Sequence, residues 1–224
     1  MILKVIGKYI IISMVICFLY GINILSIVTL RKFYKEDFKG SYLFQLWSLV
    51  LFLIIWYLSP LEIFVFEVHN LWSLKNILLI FVAVIPTSII IYKGKSKLNN
   101  PLKNFLNGAT MEIPQRLLTQ NLFAILGVNT VVYGELTSGI VLNALIWVQF
   151  IIVQEIINKK KISFKIVSEI TASFWFSIWV GILYSITGNI VIAMVTHGLQ
   201  RVVTHEIRKR MDKHNNELKG AGLL

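Results

Sequence analysis

The chain has 224 residues, of which 56% are hydrophobic and only 15% charged, and its mean hydropathy is +0.73. Soluble domains are about half apolar and a quarter charged, so a soluble fold is excluded and an all-α, polytopic transmembrane helix bundle of about seven spans is expected. The net charge of +11 is spread over several loops rather than gathered on one surface, which excludes a nucleic-acid partner in favour of membrane lipid. The lone Cys17 excludes a disulfide framework.

In chain order, hydropathy places spans at Tyr9–Leu30, Ser41–Leu58, Leu74–Tyr92, about Phe105–Val128, Ser138–Ile157, Ile166–Ile186 and Asn189–His205. The first is read as a retained span, because its apolar run is long for a signal peptide and no small-residue cleavage site follows. Cys17 within it is expected to face lipid. The fourth is the least apolar, carrying Asn107, Glu112, Gln115, Arg116, Gln120 and Asn121. No internal repeat or long linker divides the chain, so one domain is expected.

Loop charge gives orientation. Arg31, Lys32, Lys35 and Lys39 follow the first span, Lys93, Lys95, Lys97 and Lys103 the third, Lys159, Lys160, Lys161 and Lys165 the fifth, and Arg208, Lys209, Arg210, Lys213 and Lys219 the seventh. The alternate loops Pro60–Ser73, Asn129–Thr137 and Thr187–Gly188 have no Lys or Arg. The positive-inside rule then sets the N-terminus outside and the C-terminus in the cytoplasm, with Lys4, Lys8 and Lys75 against the trend. Trp56 and Trp72 read as an extracytoplasmic interface belt. His69, His214 and Glu135 read as exposed, Glu155 as interfacial near Lys159, and Glu169 as the ion-pair partner of Lys165.

Charges at bilayer depth persist where they pair or do chemistry. Glu112 and Arg116 are four residues apart and share one helical face, with Pro114 between them removing a backbone donor. They either neutralise each other as interhelical glue or form the heart of a site. His197, Arg201 and His205 form a second stripe at the same spacing, with Gln200 beside it. His205 and Arg201 lie near the cytoplasmic end, where snorkelling accounts for at least one of them. His197 is deeper, and a neutral imidazole supplies both a donor and an acceptor without a charge to bury.

Glu112-Ile113-Pro114-Gln115-Arg116, followed by Thr187-Gly188-Asn189 and His197 in that order, resembles the CAAX protease and bacteriocin-processing (CPBP, or Abi) membrane family. The similarity runs over about Phe105–Arg210. It implies a CPBP-like core at 105–210, accessory transmembrane helices at 1–104, a basic cytoplasmic tail at 211–224 and a bacterial plasma-membrane location. The family motifs are Glu-Glu-x-x-x-Arg, Phe-x-x-x-His and His-x-x-x-Asn/Asp. Met111 stands where the first Glu would be and Arg201 where Asn or Asp would be. The middle histidine is missing, with Gln149 the nearest polar substitute and Leu145 in the Phe position.

The resemblance implies an intramembrane endopeptidase, a hydrolase acting on a peptide precursor or a membrane-protein tail. Its site would comprise Glu112 as the base activating a water, Arg116 holding it, and His197 with Arg201 at the oxyanion, with Gln149 able to hold the water. No cofactor is expected, and zinc is disfavoured because His197 and His205 sit two helical turns apart. The alternative is a non-catalytic relative that binds a peptide or partner in the same cavity, as in bacteriocin immunity or scaffolding. A small transporter relaying protons through Glu112 and His197 is a third reading, and the missing repeat counts against it.

Overall fold

Without water at bilayer depth, an apolar segment must pair its own N–H and C=O groups, and a helix does so within one segment. The computed structural model, which describes residues 2–34, 40–58, 72–91, 100–157 and 163–220, is accordingly helical. Its elements are α1 (Ile2–Tyr34), α2 (Gly40–Leu58), α3 (Leu74–Ile91), α4 (Pro101–Thr110), a π-helical segment (Ile113–Gln120) and α5 (Asn121–Ile125). A hairpin of β1 (Val131–Tyr133) and β2 (Leu136–Thr137) follows, then α6 (Ser138–Ile157), α7 (Phe164–Thr187) and α8 (Ile190–Gly220).

Among the described residues, four helices are long and apolar enough to cross a membrane: Leu3–Thr29, Leu74–Ile91, Ser138–Ile157 and Ile166–Thr187, which fits an integral membrane protein. The apolar stretch Tyr42–Leu58 is shorter. The expected fourth span is broken into α4, the π segment and α5, and the seventh runs on as one helix to Gly220. Its last part is rich in Lys, Arg and Glu, all good helix formers, so nothing local stops it at His205.

Short-range chemistry sets the helix ends that orient the bundle. Asn100 caps α4, its Oδ1 accepting from the N–H groups of Leu102 at 2.9 Å and Lys103 at 3.3 Å, with Pro101 at the first helical position. Gly188 closes α7 in the left-handed region at φ 57°, and Asn189 Oδ1 then accepts from Val191 N–H at 2.8 Å to start α8. The Thr-Gly-Asn turn is therefore a C-cap followed at once by an N-cap, and it folds α8 back beside α7.

Glycines bring α8 against α4. A Cβ on Gly108 would lie 2.7 Å from Arg201 Cγ and 2.7 Å from the His197 carbonyl oxygen, and one on Gly198 would lie 2.5 Å from the Phe105 ring. The buried core runs through both halves of the chain, joining Ile12, Ile16 and Phe52 to Trp147, Phe176 and Val180. The first three helices and the rest thus share one core.

Residues set aside in the sequence are accounted for. Lys8 Nζ donates to the Leu126 carbonyl, and Lys75 pairs with Glu135 at 3.0 Å in an exposed contact, so two of the lysines that oppose the loop-charge trend have local partners. Cys17, Trp56, Trp72 and His214 are exposed. His69, Lys159 and the Lys165 side chain lie outside the described residues.

Candidate functional site

The π segment begins at Ile113, next to Pro114, whose missing N–H interrupts the α-helical ladder, and it ends where Asn121 N–H bonds to the Arg116 carbonyl five residues back. The wider turn sets Glu112, Arg116 and Gln120 in a row. Arg116 Nε donates to Glu112 Oε2 at 3.1 Å and Nη1 to Gln120 Oε1 at 3.2 Å. Nη2 reaches α7, donating to the Ser177 carbonyl at 2.8 Å and its hydroxyl at 3.0 Å. Gln120 extends the seam to the Gly181 carbonyl and Ser185, and Asn121 to Tyr184. A guanidinium with 0% exposure is thus matched to a carboxylate and three neutral acceptors, which a buried charge requires.

Glu112 is itself fully buried, and its second oxygen, Oε1, lies 2.5 Å from His197 Nδ1 on α8. An ionised carboxylate only accepts, so this contact sets the proton on Nδ1 and leaves Nε2 with its lone pair. Phe176 packs on the imidazole, ring centroids 4.7 Å apart. His197 lines a cavity of about 490 Å³, within the roughly 300–1,000 Å³ of small-ligand sites. The apolar wall is an aromatic cluster: Phe44 and Phe150 each meet Tyr20 at 6.2 Å, and Trp147 meets Phe150 at 5.6 Å. The polar side holds Gln115, Gln200, Arg201 and, from α1 and α3, Asn23 and Thr87.

No family model matches the chain, and neither a curated protein nor a solved structure matches it. Among the described residues, no three His, Cys, Asp or Glu side chains converge to hold a metal ion.

Four of the five expected site residues come together. Glu112, Arg116 and His197 are hydrogen-bonded in series, and Arg201 lines the same cavity one turn beyond His197. Gln149 does not join them. It is exposed on the other side of α6, where Tyr9 OH donates to its Oε1 at 2.8 Å. Trp147, Phe150, Ile151 and Gln154 are the α6 residues that line the cavity, and Gln149 follows Trp147 by two positions, about 200° around the helix. The aromatic residues with a fourth neighbour on the cavity face are therefore Trp147 with Ile151 and Phe150 with Gln154, not Leu145 with Gln149. Met111 also lines the cavity, whereas Glu112 is sealed behind it.

The sequence reading missed Ser177, Asn23 and Thr87. Each is a single polar residue in an apolar run, a signal too common to single out. Their importance comes from what packs beside them.

Proposed function

We propose that this protein is an intramembrane endopeptidase whose water is activated by the Glu112–His197 pair. The observation that carries the reading is the 2.5 Å Glu112–His197 contact behind a cavity that His197 lines. His197 Nε2 takes a proton from water as the hydroxide attacks a peptide carbonyl, and Glu112 stabilises the resulting imidazolium. His197 then returns its proton to the leaving amine as the intermediate collapses. Arg116 acts through Glu112, fixing the carboxylate, and is a positioning residue. The resemblance to CPBP proteins supports a peptide or membrane-protein tail as substrate.

Loop charge supports an extracytoplasmic N-terminus and a cytoplasmic C-terminus, and the resemblance to CPBP proteins supports a bacterial plasma-membrane location. The cavity residues Asn23, Phe44, Thr87 and Gln154 lie toward the helix ends joined by the basic loops. In this orientation the cavity belongs to the cytoplasmic half of the membrane.

One observation favours a second reading, binding without turnover. Met111 places a neutral side chain on the cavity wall where the first CPBP motif carries Glu, and Gln149, in place of the middle His, is turned away to Tyr9. Purified protein in nanodiscs, incubated with a pool of apolar peptides and membrane-protein tails, separates the two by mass spectrometry. Cleavage by wild type that falls about 10²–10⁴-fold in His197→Gln, with melting unchanged, supports the peptidase. Retention of peptides without new termini supports the binding protein.

A further inference from the structure

Among the described residues, three polar groups on the cavity wall have no hydrogen-bond partner. Arg201 makes no hydrogen bond or ion pair among the described residues. Glu169 and Arg208 are the charges that act on it at longer range. Its stem lies against Gly108, where a Cβ would come within 2.7 Å, and its head borders the cavity. Asn23 Oδ1 and Thr87 Oγ1 are buried without a hydrogen bond, on residues only 4% and 2% exposed. Both residues line the same cavity. Buried polar atoms in native structures find partners, so Asn23 Oδ1 and Thr87 Oγ1 mark a ligand position, and the exposed Arg201 side chain borders the same space.

The three demands are specific. Arg201 calls for an anion, Asn23 Oδ1 accepts and therefore calls for an N–H, and the Thr87 hydroxyl serves either role. A phosphodiester group itself offers acceptors alone, whereas a peptide offers backbone N–H groups beside a carboxylate. The aromatic wall of Tyr20, Phe44, Trp147 and Phe150 suits apolar neighbours of that carboxylate.

We propose that this wall is a subsite for a peptide carboxylate, with Arg201 as counter-ion and Asn23 and Thr87 taking the adjoining backbone groups. It rests on the peptide-binding reading of the cavity and names the feature that the cavity selects. The carboxylate is a chain terminus or an acidic side chain.

The test uses the full chain carrying His197→Gln in zwitterionic nanodiscs, so that bound peptide is not consumed. The probe is a pool of eight-residue peptides with randomised apolar positions, made in four forms: C-terminal acid or amide, each with one internal Glu or Gln. Retained peptides are counted by mass spectrometry. The expected result is about tenfold or greater enrichment of one carboxylate form over its amide isostere, the size of a charge-assisted hydrogen bond, and the enriched form identifies the source. Arg201→Gln removes the preference and Arg201→Lys keeps part of it, while both variants stay monodisperse. Equal retention of acid and amide forms, a preference that survives Arg201→Gln, or no retention at all overturns the proposal. So does a preference that vanishes in phosphatidylglycerol nanodiscs, which would assign Arg201 to a lipid phosphate. Enrichment of peptides that wild type never cleaves leaves the subsite standing and removes the peptidase reading instead.

Discussion

Glu112 Oε1 lies 2.5 Å from His197 Nδ1, a bond between side chains 85 positions apart, while the other oxygen of the same carboxylate takes the Arg116 guanidinium. One buried carboxylate therefore serves two partners on two helices. The first orients an imidazole; the second neutralises a cation that has no access to water.

Glu112→Gln is expected to destabilise the protein as well as silence it. The amide keeps one acceptor oxygen but leaves the Arg116 charge buried without a counter-ion, a loss of about 3–5 kcal/mol. Thermal unfolding of purified Glu112→Gln, Arg116→Gln and the double variant measures the coupling. The double variant is expected to melt above Glu112→Gln, because no bare charge remains. Wild-type melting in Glu112→Gln would remove the ion pair from the account.

Gly108→Ala is expected to lower stability by about 1–3 kcal/mol, since its Cβ would meet Arg201 Cγ and the His197 carbonyl oxygen, each at 2.7 Å. Gly21→Ala is the control. Nothing lies within 4 Å of a Cβ there, so helix propensity makes it neutral or slightly stabilising. Equal melting of the two variants would show that α4 and α8 are not in close contact.

Rebuilding the CPBP motifs tests the helix phase of α6. A variant carrying Met111→Glu and Ile151→His puts the missing groups on the cavity wall and is expected to raise cleavage by about 10²-fold or more. Replacing Ile151→His by Gln149→His in that set should give no gain, because residue 149 meets Tyr9 on the other side of the helix. A gain from Gln149→His instead would overturn the assigned face.

Orientation is checked with single cysteines in a Cys17→Ser background. Thr130 beside the exposed hairpin is expected to react with an impermeant thiol reagent in intact cells, and Ser163 at the start of α7 only after lysis. Labelling of Ser163 from outside would reverse the topology.

Sequence alone was enough for properties that add up along the chain. Hydropathy placed the apolar helices, local chemistry at Asn100, Gly188 and Asn189 set helix ends, and the four-residue step from Glu112 to Arg116 foretold their ion pair. Each depends on neighbours within a turn or two. Tertiary packing decided everything that joins distant segments. It gave the Glu112 carboxylate to His197, turned Gln149 away and Trp147 inward, and brought Ser177 to Arg116. The same packing left Asn23, Thr87 and Arg201 facing one cavity. An apolar helix can present any face to its neighbours at nearly equal hydrophobic gain in a lipid solvent. Close steric fit and the pairing of buried polar groups then select the face, and neither is visible until the helices are side by side.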